Sequence, residues 1–380
     1  MPIWESDGKL PYTREKNRLI KTVISKNMEF IKTSKYTEGN FTTPVNYDLI
    51  NNFEKVKIDQ SLNLIKESGN IDLLKKYAGM GLKVIPIRRV SERDWSLRKD
   101  FPNRVMIETT SRCNFKCRMC PRHNLKRPLM DFDKELFFKV LDELDQHGVE
   151  GVWLYSLGEP MLHKNWKEMV EYAGKKKNIG MIWFSTNGFA FNEDVIDFAL
   201  NSKISYLNFS LHGTNEEVYD FVSPKIHYKK VRENFDLLLK KKKELGRGPI
   251  LHIQMIDQEG THGNINEFIE TFYDTGEIVS INMLDYGYLP NNAYGLRQRS
   301  RPPIVKKCNR ISRGDCIIAS NGDVQPCDNT YNSEILLGNV NRQTVYESWN
   351  SDVNKKMLEL NEKGELYKIE HCGKCPDYDL

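Results

Sequence analysis

A chain of 380 residues with 39% hydrophobic content is long enough for one large domain and one or two smaller ones. Lys and Arg number 56 against 52 Asp and Glu, a net charge of +4, so charge gives no case for a nucleic-acid or membrane partner. No apolar run approaches the roughly 18 residues of a membrane span, and the opening Met-Pro-Ile-Trp-Glu lacks a signal peptide's apolar core, so a cytoplasmic location is expected. In chain order, 14–32 and 60–81 carry apolar residues at three- and four-residue spacing and read as helices, with Gly79 and Gly81 as a stop and 37–46 as a loop.

From about residue 103 the pattern changes to a strand–helix alternation. Strands are expected at 104–110, 151–160, 179–188, 204–213, 249–257 and 278–285. Helices are expected at 133–148, 165–177, 192–202, 228–246 and 264–276. The lysine run 240–243 reads as the solvated face of a helix. Six strands with helices between them predict a parallel sheet curling into a full or partial α/β barrel, whose chemistry sits on the loops after the strands' C-terminal ends. Beyond 290 the chain turns loop-rich. Residues 290–303 read as a linker, 316–328 as a hairpin turning at Asn321-Gly322, and 344–364 as a helix.

Eight cysteines fall into two groups, Cys113, Cys117 and Cys120, then Cys308, Cys316, Cys327, Cys372 and Cys375. In a reducing compartment, clustered cysteines point to metal or catalysis rather than disulfides. The first group lies in "SRCNFKCRMC", in the loop after the first strand. Three core thiols beside Arg112, Lys116 and Arg118 make little physical sense. A structural zinc site and an electron-transfer [4Fe–4S] cluster both want four protein ligands. Three thiolates on a four-iron cube leave one iron open for something that reacts.

The C-x3-C-x2-C spacing resembles the signature of the radical S-adenosylmethionine (SAM) superfamily. The resemblance implies a partial (β/α)6 barrel over 101–290, a helical N-terminal extension over 1–100 and a small auxiliary-cluster domain over 291–380. It implies that the open iron chelates SAM, and that its reductive cleavage yields a 5′-deoxyadenosyl radical that abstracts hydrogen from substrate. "LGEP" (157–160) looks like the family's Gly-Gly-Glu-Pro motif with Leu157 in place of the first glycine, so Gly158 and Glu159 would meet the SAM ammonium. "STNG" (185–188) would bring Ser185 and Asn187 to its carboxylate and ribose, with Gly188 allowing close approach. "NFSLHG" (208–213) would add Ser210, and Met119 would lie near adenine.

The C-terminal group resembles the SPASM domains attached to many such enzymes, in the shortened twitch form with one auxiliary [4Fe–4S] cluster. The resemblance gives Cys308, Cys327, Cys372 and Cys375 as its ligands, with Cys316 inside a hairpin strand as the spare and Cys308 against Cys316 left open. A four-cysteine zinc ribbon is the rival. An auxiliary cluster can take the electron of a substrate radical, as in radical SAM alcohol dehydrogenases. A base to take the hydroxyl proton would accompany it, with His212 and Tyr286 as candidates. The expected function is therefore oxidation of a small sugar- or aminocyclitol-like substrate, with a flavodoxin- or ferredoxin-type reductant and no nucleic-acid or membrane partner. Three alternatives stand beside it: an epimerase using Cys316 as hydrogen donor, a ribosomal-peptide maturase, and an electron-transfer or zinc protein without a reaction of its own. Residues 1–100 show no clear winged-helix strands, which lowers the peptide reading.

Overall fold

The computed structural model describes Val23–Ile24 and residues 100–375, apart from 226, 227, 259, 265, 266, 269, 270, 273, 274, 276, 277 and 284–306. The helices expected at 14–32 and 60–81, the loop 37–46, Tyr286 and the linker 290–303 lie outside these residues. The exception is Val23–Ile24, which forms a strand (β1) instead of a helical turn. Two β-branched residues suit an edge pairing, and these pair antiparallel with Val279 and Ser280.

The strand–helix alternation is observed through β6, while the helix expected at 264–276 falls mostly on residues outside those described. It runs β2 (Arg104–Ile107), α1 (Lys134–His147), β3 (Gly151–Trp153), α2 (Trp166–Lys175), β4 (Ile182–Thr186), α3 (Glu193–Asn201) and β5 (Tyr206–Ser210). It continues through α4 (Glu216–Val222), α5 (Tyr228–Leu245), β6 (Ile250–Asp257) and β7 (Ile278–Met283). Local chemistry sets the helix starts: Asp133, Asn192 and Asn215 each accept a bond from the backbone N–H three residues on. Gly148 closes α1 at φ 72°, its N–H reaching the Leu144 carbonyl. Helix α4 is absent from the sequence expectation because it is too short to show a helical repeat. Lys241, from the lysine run, pairs with Asp197 and Glu193 of α3.

After α6 (Asn309–Ser312) come β8 (Asp315–Ile318), β9 (Asp323–Gln325), β10 (Gly338–Asn339), α7 (Val345–Trp349), α8 (Asp352–Glu362) and α9 (Glu370–Gly373). The expected hairpin is present, with Gly322 at φ 87° in its turn. The single helix expected over 344–364 is two helices. Thr344 and Glu347 form a capping box on the first, and Ser351 starts the second by accepting from Asn354 N.

The ten strands among the described residues belong to one sheet, in the order β1-β7-β6-β5-β4-β3-β2-β8-β9-β10. Strands β2 to β7 are parallel neighbours in sequence order, the pattern of an open α/β barrel. Strand β8 extends this barrel beside β2, also in parallel, with Arg104 opposite Asp315 and Val105 opposite Cys316. The C-terminal hairpin is thus part of the barrel's sheet.

The pleat divides the sheet into two faces. Val105, Ile107, Val152, Leu154, Phe184, Leu207, Phe209, Leu251 and Ile253 pack with Phe137, Leu141 and Leu144 of α1 and with the apolar stripes of the other helices. The opposite face holds Met106, Trp153, Tyr155, Trp183, Tyr206 and Ile317, with no helical residue among them. Trp183 lies 3.8 Å from the Tyr206 ring centroid and 5.7 Å from that of Trp153, so aromatic rings fill the interior below the strands' C-terminal ends. Among the described residues no helix is long and apolar enough to cross a membrane.

Candidate active site

The loop after β2 is closed at its base. Thr110 bridges to Asp131, whose carboxylate takes bonds from Thr110 Oγ1 at 2.7 Å and Arg112 Nε at 3.0 Å. Ser111 and Met130 exchange bonds beside it. Within this lasso lie Cys113, Cys117 and Cys120, all half-buried. Helix α4 braces them from outside: Arg118 N donates to Val222 O at 2.8 Å and Lys116 N to Ser223 Oγ at 3.1 Å.

The three thiols share one electrostatic environment. Burial pushes the Cys113 thiol up to about 12, with Glu159 next in effect and Cys120 adding to it. Burial, then Cys120 and Cys113, raises Cys117 further. Burial also raises Cys120, against the N–H and charge of Arg122. Thiols this desolvated stay protonated unless a metal displaces their protons. Phe115 N points at Cys113 Sγ from 3.4 Å, the kind of N–H···S bond that steadies a bound thiolate.

Glu159 reaches the same place from the loop after β3. Its N–H donates to Arg112 O at 2.9 Å, and its side chain is only 3% exposed. Thr186 Oγ1 and Asn187 N each donate to its carboxylate at 2.8 Å. Burial nevertheless dominates and lifts its pKa to about 7. Gly158 is required for this approach, since a Cβ there would lie 1.9 Å from the Thr110 carbonyl oxygen. Gly188 is also held to glycine, by φ 76° and by the Phe209 ring 2.1 Å from where a Cβ would sit. Asn187 Nδ2 donates to Asn114 Oδ1 at 2.8 Å and lies 3.8 Å from Cys113 Sγ.

The remaining expected residues form two further groups. Ser185 and Ser210 sit on the inner face around Asn208, whose amide donates to Ser185 Oγ at 3.0 Å and to Gln254 Oε1 at 2.7 Å. Met119 packs with Phe221 and Ile256, and the buried Gln258 amide lies 3.6 Å from its sulfur. Thr186, Asn208, Gln254 and Gln258 escaped sequence reasoning. Thr186, inside "STNG", and Asn208, at the head of "NFSLHG", lay within quoted motifs, whereas Gln254 and Gln258 had none to mark them.

In the C-terminal region the structure gathers Cys308, Cys327 and Cys372, whose thiols act on one another through space. Burial pushes Cys327 up to about 12, opposed by the Arg310 cation. Cys375 follows from the turn after α9, and Asn329 Nδ2 donates to its sulfur at 3.4 Å. Cys308 is fixed by its N–H donating to Asn361 Oδ1 at 2.6 Å. Cys316 is elsewhere. It is fully buried with Ile318 on the helix-covered face, its thiol raised by burial and then by Asp315 and Glu143. Its neighbour Ile317 is the residue that faces inward. The expectation that Cys316 donates a hydrogen atom inside the barrel is therefore corrected, because strand alternation turns the side chain to the opposite face.

Two family patterns match these regions. The Radical SAM superfamily covers residues 107–259, and SPASM, an iron–sulfur cluster-binding domain, covers 308–376. The chain carries a radical SAM domain followed by a SPASM domain. The tungsten-containing aldehyde ferredoxin oxidoreductase cofactor-modifying protein of Pyrococcus furiosus is 21% identical over 293 residues, 65% of this chain and 81% of that protein. BtrN in complex with AdoMet and 2-DOIA aligns over 73% of this chain and 93% of its own, at 18% identity and a TM-score of 0.52. Streptococcus suis SuiB bound to precursor peptide SuiA aligns over 94% and 90%, at 15% identity and 0.55. At such identities these two structures establish the fold.

The radical SAM and SPASM domains imply SAM and two [4Fe–4S] clusters as cofactors. The residues present fit them. Three desolvated thiols share one loop beside a buried carboxylate suited to an ammonium group, and the second region offers four thiols. Among the described residues no three Cys, His, Asp or Glu side chains lie close enough to share a single ion, whereas a cube takes each thiolate on a different iron.

Glu159 gives a pH prediction. Its folded-state pKa, about 7, lies above its ordinary value of 4.5, so the cluster-free folded protein holds this proton longer than the unfolded chain does. Stability from this group is full below pH 4.5 and falls as pH rises through 7. Glu159→Gln is expected to be more stable than wild type at pH 8, by up to about 3 kcal/mol in denaturant unfolding, and equal to it at pH 4.5. The same variant is expected to lose SAM affinity. A difference that grew toward low pH would show that Glu159 is held ionised.

Proposed function

We propose that this radical SAM protein dehydrogenates a small polar substrate of the sugar or aminocyclitol class. The observation that carries this reading is the position of β8. The SPASM hairpin is hydrogen-bonded into the barrel's own sheet beside β2, so the auxiliary cysteine set is held rigidly against the barrel rather than tethered to it. When bound, the first cluster and SAM supply a radical that removes a hydrogen atom from carbon, and the auxiliary cluster supplies a one-electron acceptor. We assign Cys113, Cys117 and Cys120 to the first cluster, and Cys308, Cys327, Cys372 and Cys375 to the second. Glu159, with Gly158 giving it room, receives the SAM ammonium. Asn187, Ser185 and Ser210 supply polar contacts to SAM, and Met119 packs against its adenine.

The inner face supports this substrate class. Tyr155 and Tyr206 present buried hydroxyls there, and Asn208 a carbonyl oxygen, without partners among the described residues. Buried polar atoms are stable when something bonds to them, and hydroxyl and amino groups of a polyol match this set. His212, at the end of β5, is held neutral because burial lowers its pKa to about 4, and its Nδ1 is free of partners among the described residues. A neutral imidazole there can accept a hydrogen bond from the substrate's hydroxyl, while a pKa this low keeps it from holding the proton itself. A flavodoxin- or ferredoxin-type protein in a reducing cytoplasm would provide electrons. A second reading, peptide modification, is favoured by the alignment with SuiB over 94% of this chain.

The test is turnover by the anaerobically reconstituted protein with SAM, dithionite and a panel of cyclitols, aminocyclitols and sugars. The expected result is 5′-deoxyadenosine together with a product lighter by one H2. An unchanged formula carrying solvent deuterium, or product only with a peptide, overturns the dehydrogenase reading.

A further inference from the structure

Glu108 directly follows β2 with a side chain wholly shielded from solvent, five residues before the first cysteine. One carboxylate oxygen accepts from Arg127 Nη2 at 2.8 Å, and the other accepts from Ser320 N at 2.9 Å. Arg127 is almost as deeply buried. Its Nη1 donates to Ser320 Oγ at 2.9 Å and its Nε to Tyr331 O at 3.4 Å. Nearby, Lys126 N donates to Asn332 Oδ1 at 2.8 Å and Asn332 Nδ2 to Asn124 O at 3.0 Å. The segment that follows Cys120 is thus tied to the SPASM region through Ser320, Tyr331 and Asn332, around the buried Arg127–Glu108 ion pair. Glu108 directly precedes the loop that carries Cys113, Cys117 and Cys120, and Arg127 lies seven residues past Cys120 on its far side.

A buried carboxylate is costly unless a cation compensates it, and removing that cation leaves its charge acting on the surroundings at low dielectric. A protein cluster's reduction potential responds to such charge, because reduction adds an electron that a neighbouring anion repels. We propose that Arg127 and Glu108 are positioning residues that set the reduction potential of the first cluster, with Arg127 screening the Glu108 carboxylate at the base of the cysteine loop and the SPASM hairpin holding Arg127 in place. The radical-forming site is then tuned by the docked auxiliary domain through Ser320 and Tyr331. This rests on the assignment of Cys113, Cys117 and Cys120 to the first cluster, and not on any choice of substrate.

The experiment is an EPR-monitored redox titration of reconstituted wild type, Arg127→Met, Arg127→Lys and Glu108→Gln. The signal that changes on adding SAM identifies the first cluster. Arg127→Met is expected to lower its potential and Glu108→Gln to raise it, whereas Arg127→Lys stays at the wild-type value. A merely structural pair would move both variants the same way, and that result, or no shift in either, overturns the inference. Should Arg127→Met fail to take up clusters, Glu108→Gln still decides, since its amide keeps the acceptor for Ser320 N and an unchanged potential rejects the idea. Absence of any SAM-responsive signal in wild type would instead overturn the ligand assignment.

Discussion

Alanine at Cys113, Cys117 or Cys120 is expected to abolish SAM cleavage while sparing the second cluster. Reconstituted wild type should carry about eight irons and each variant about four, all of them in the auxiliary site. Formation of 5′-deoxyadenosine should fall by about a thousandfold or more, to the level of the uncatalysed background. The reason is geometric. The cysteine loop is closed at Thr110 and Asp131 and braced by Val222 and Ser223, so no other thiol can move in to replace a lost one. Glu159, the acid that acts on Cys113, is already held by Thr186 and Asn187. Iron counting and quantification of 5′-deoxyadenosine on the three variants check this. Retention of eight irons and full cleavage in any one of them would remove that cysteine from the site.

Cys308→Ala and Cys316→Ala should part company. The resemblance puts Cys308 rather than Cys316 among the auxiliary ligands, and the structure places Cys308 with Cys327 and Cys372, whereas Cys316 is fully buried on β8 and acted on by Glu143 of α1. Cys308→Ala is expected to lose about half the iron and all substrate oxidation, yet still to cleave SAM, because the first site is untouched. Cys316→Ala is expected to keep all its iron and its activity. Its cost is a small cavity at a fully buried position, about 1 kcal/mol in urea unfolding. The reverse pattern would make Cys316 the ligand. Loss of activity in Cys316→Ala with iron and stability intact would restore it as a reacting group.

Much of the site was legible because its chemistry depends on residue type and short spacing. Three thiols within eight residues must lie on one loop wherever that loop goes. A Gly-Glu pair after a strand in an α/β alternation must come to the strands' C-terminal end, beside them. Residues acting through distant pairings left no such trace. Asn208 opens the "NFSLHG" segment, yet its role as the hub joining Ser185 to Gln254 is not legible there, because those three meet only when β4, β5 and β6 are in register. Helix α4 was unread because seven residues show too little periodicity, yet its C-terminal end supports the cysteine loop. Glu108 and Arg127 read as ordinary charged residues until Ser320, some two hundred positions on, is brought between them.

The sequence alone determined the strand–helix alternation, the two cysteine groups and the order of the motifs along the chain, since these follow from local periodicity and from the coordination chemistry of nearby thiols. Only the tertiary structure decided that the C-terminal hairpin joins the barrel's sheet beside β2, that Cys308 rather than Cys316 meets the other auxiliary thiols, and that Cys316 faces the helices. Those outcomes depend on which strand edges pair and in which register. A shift of one residue in a strand turns every side chain to the other face, and that choice is made by packing across the whole molecule.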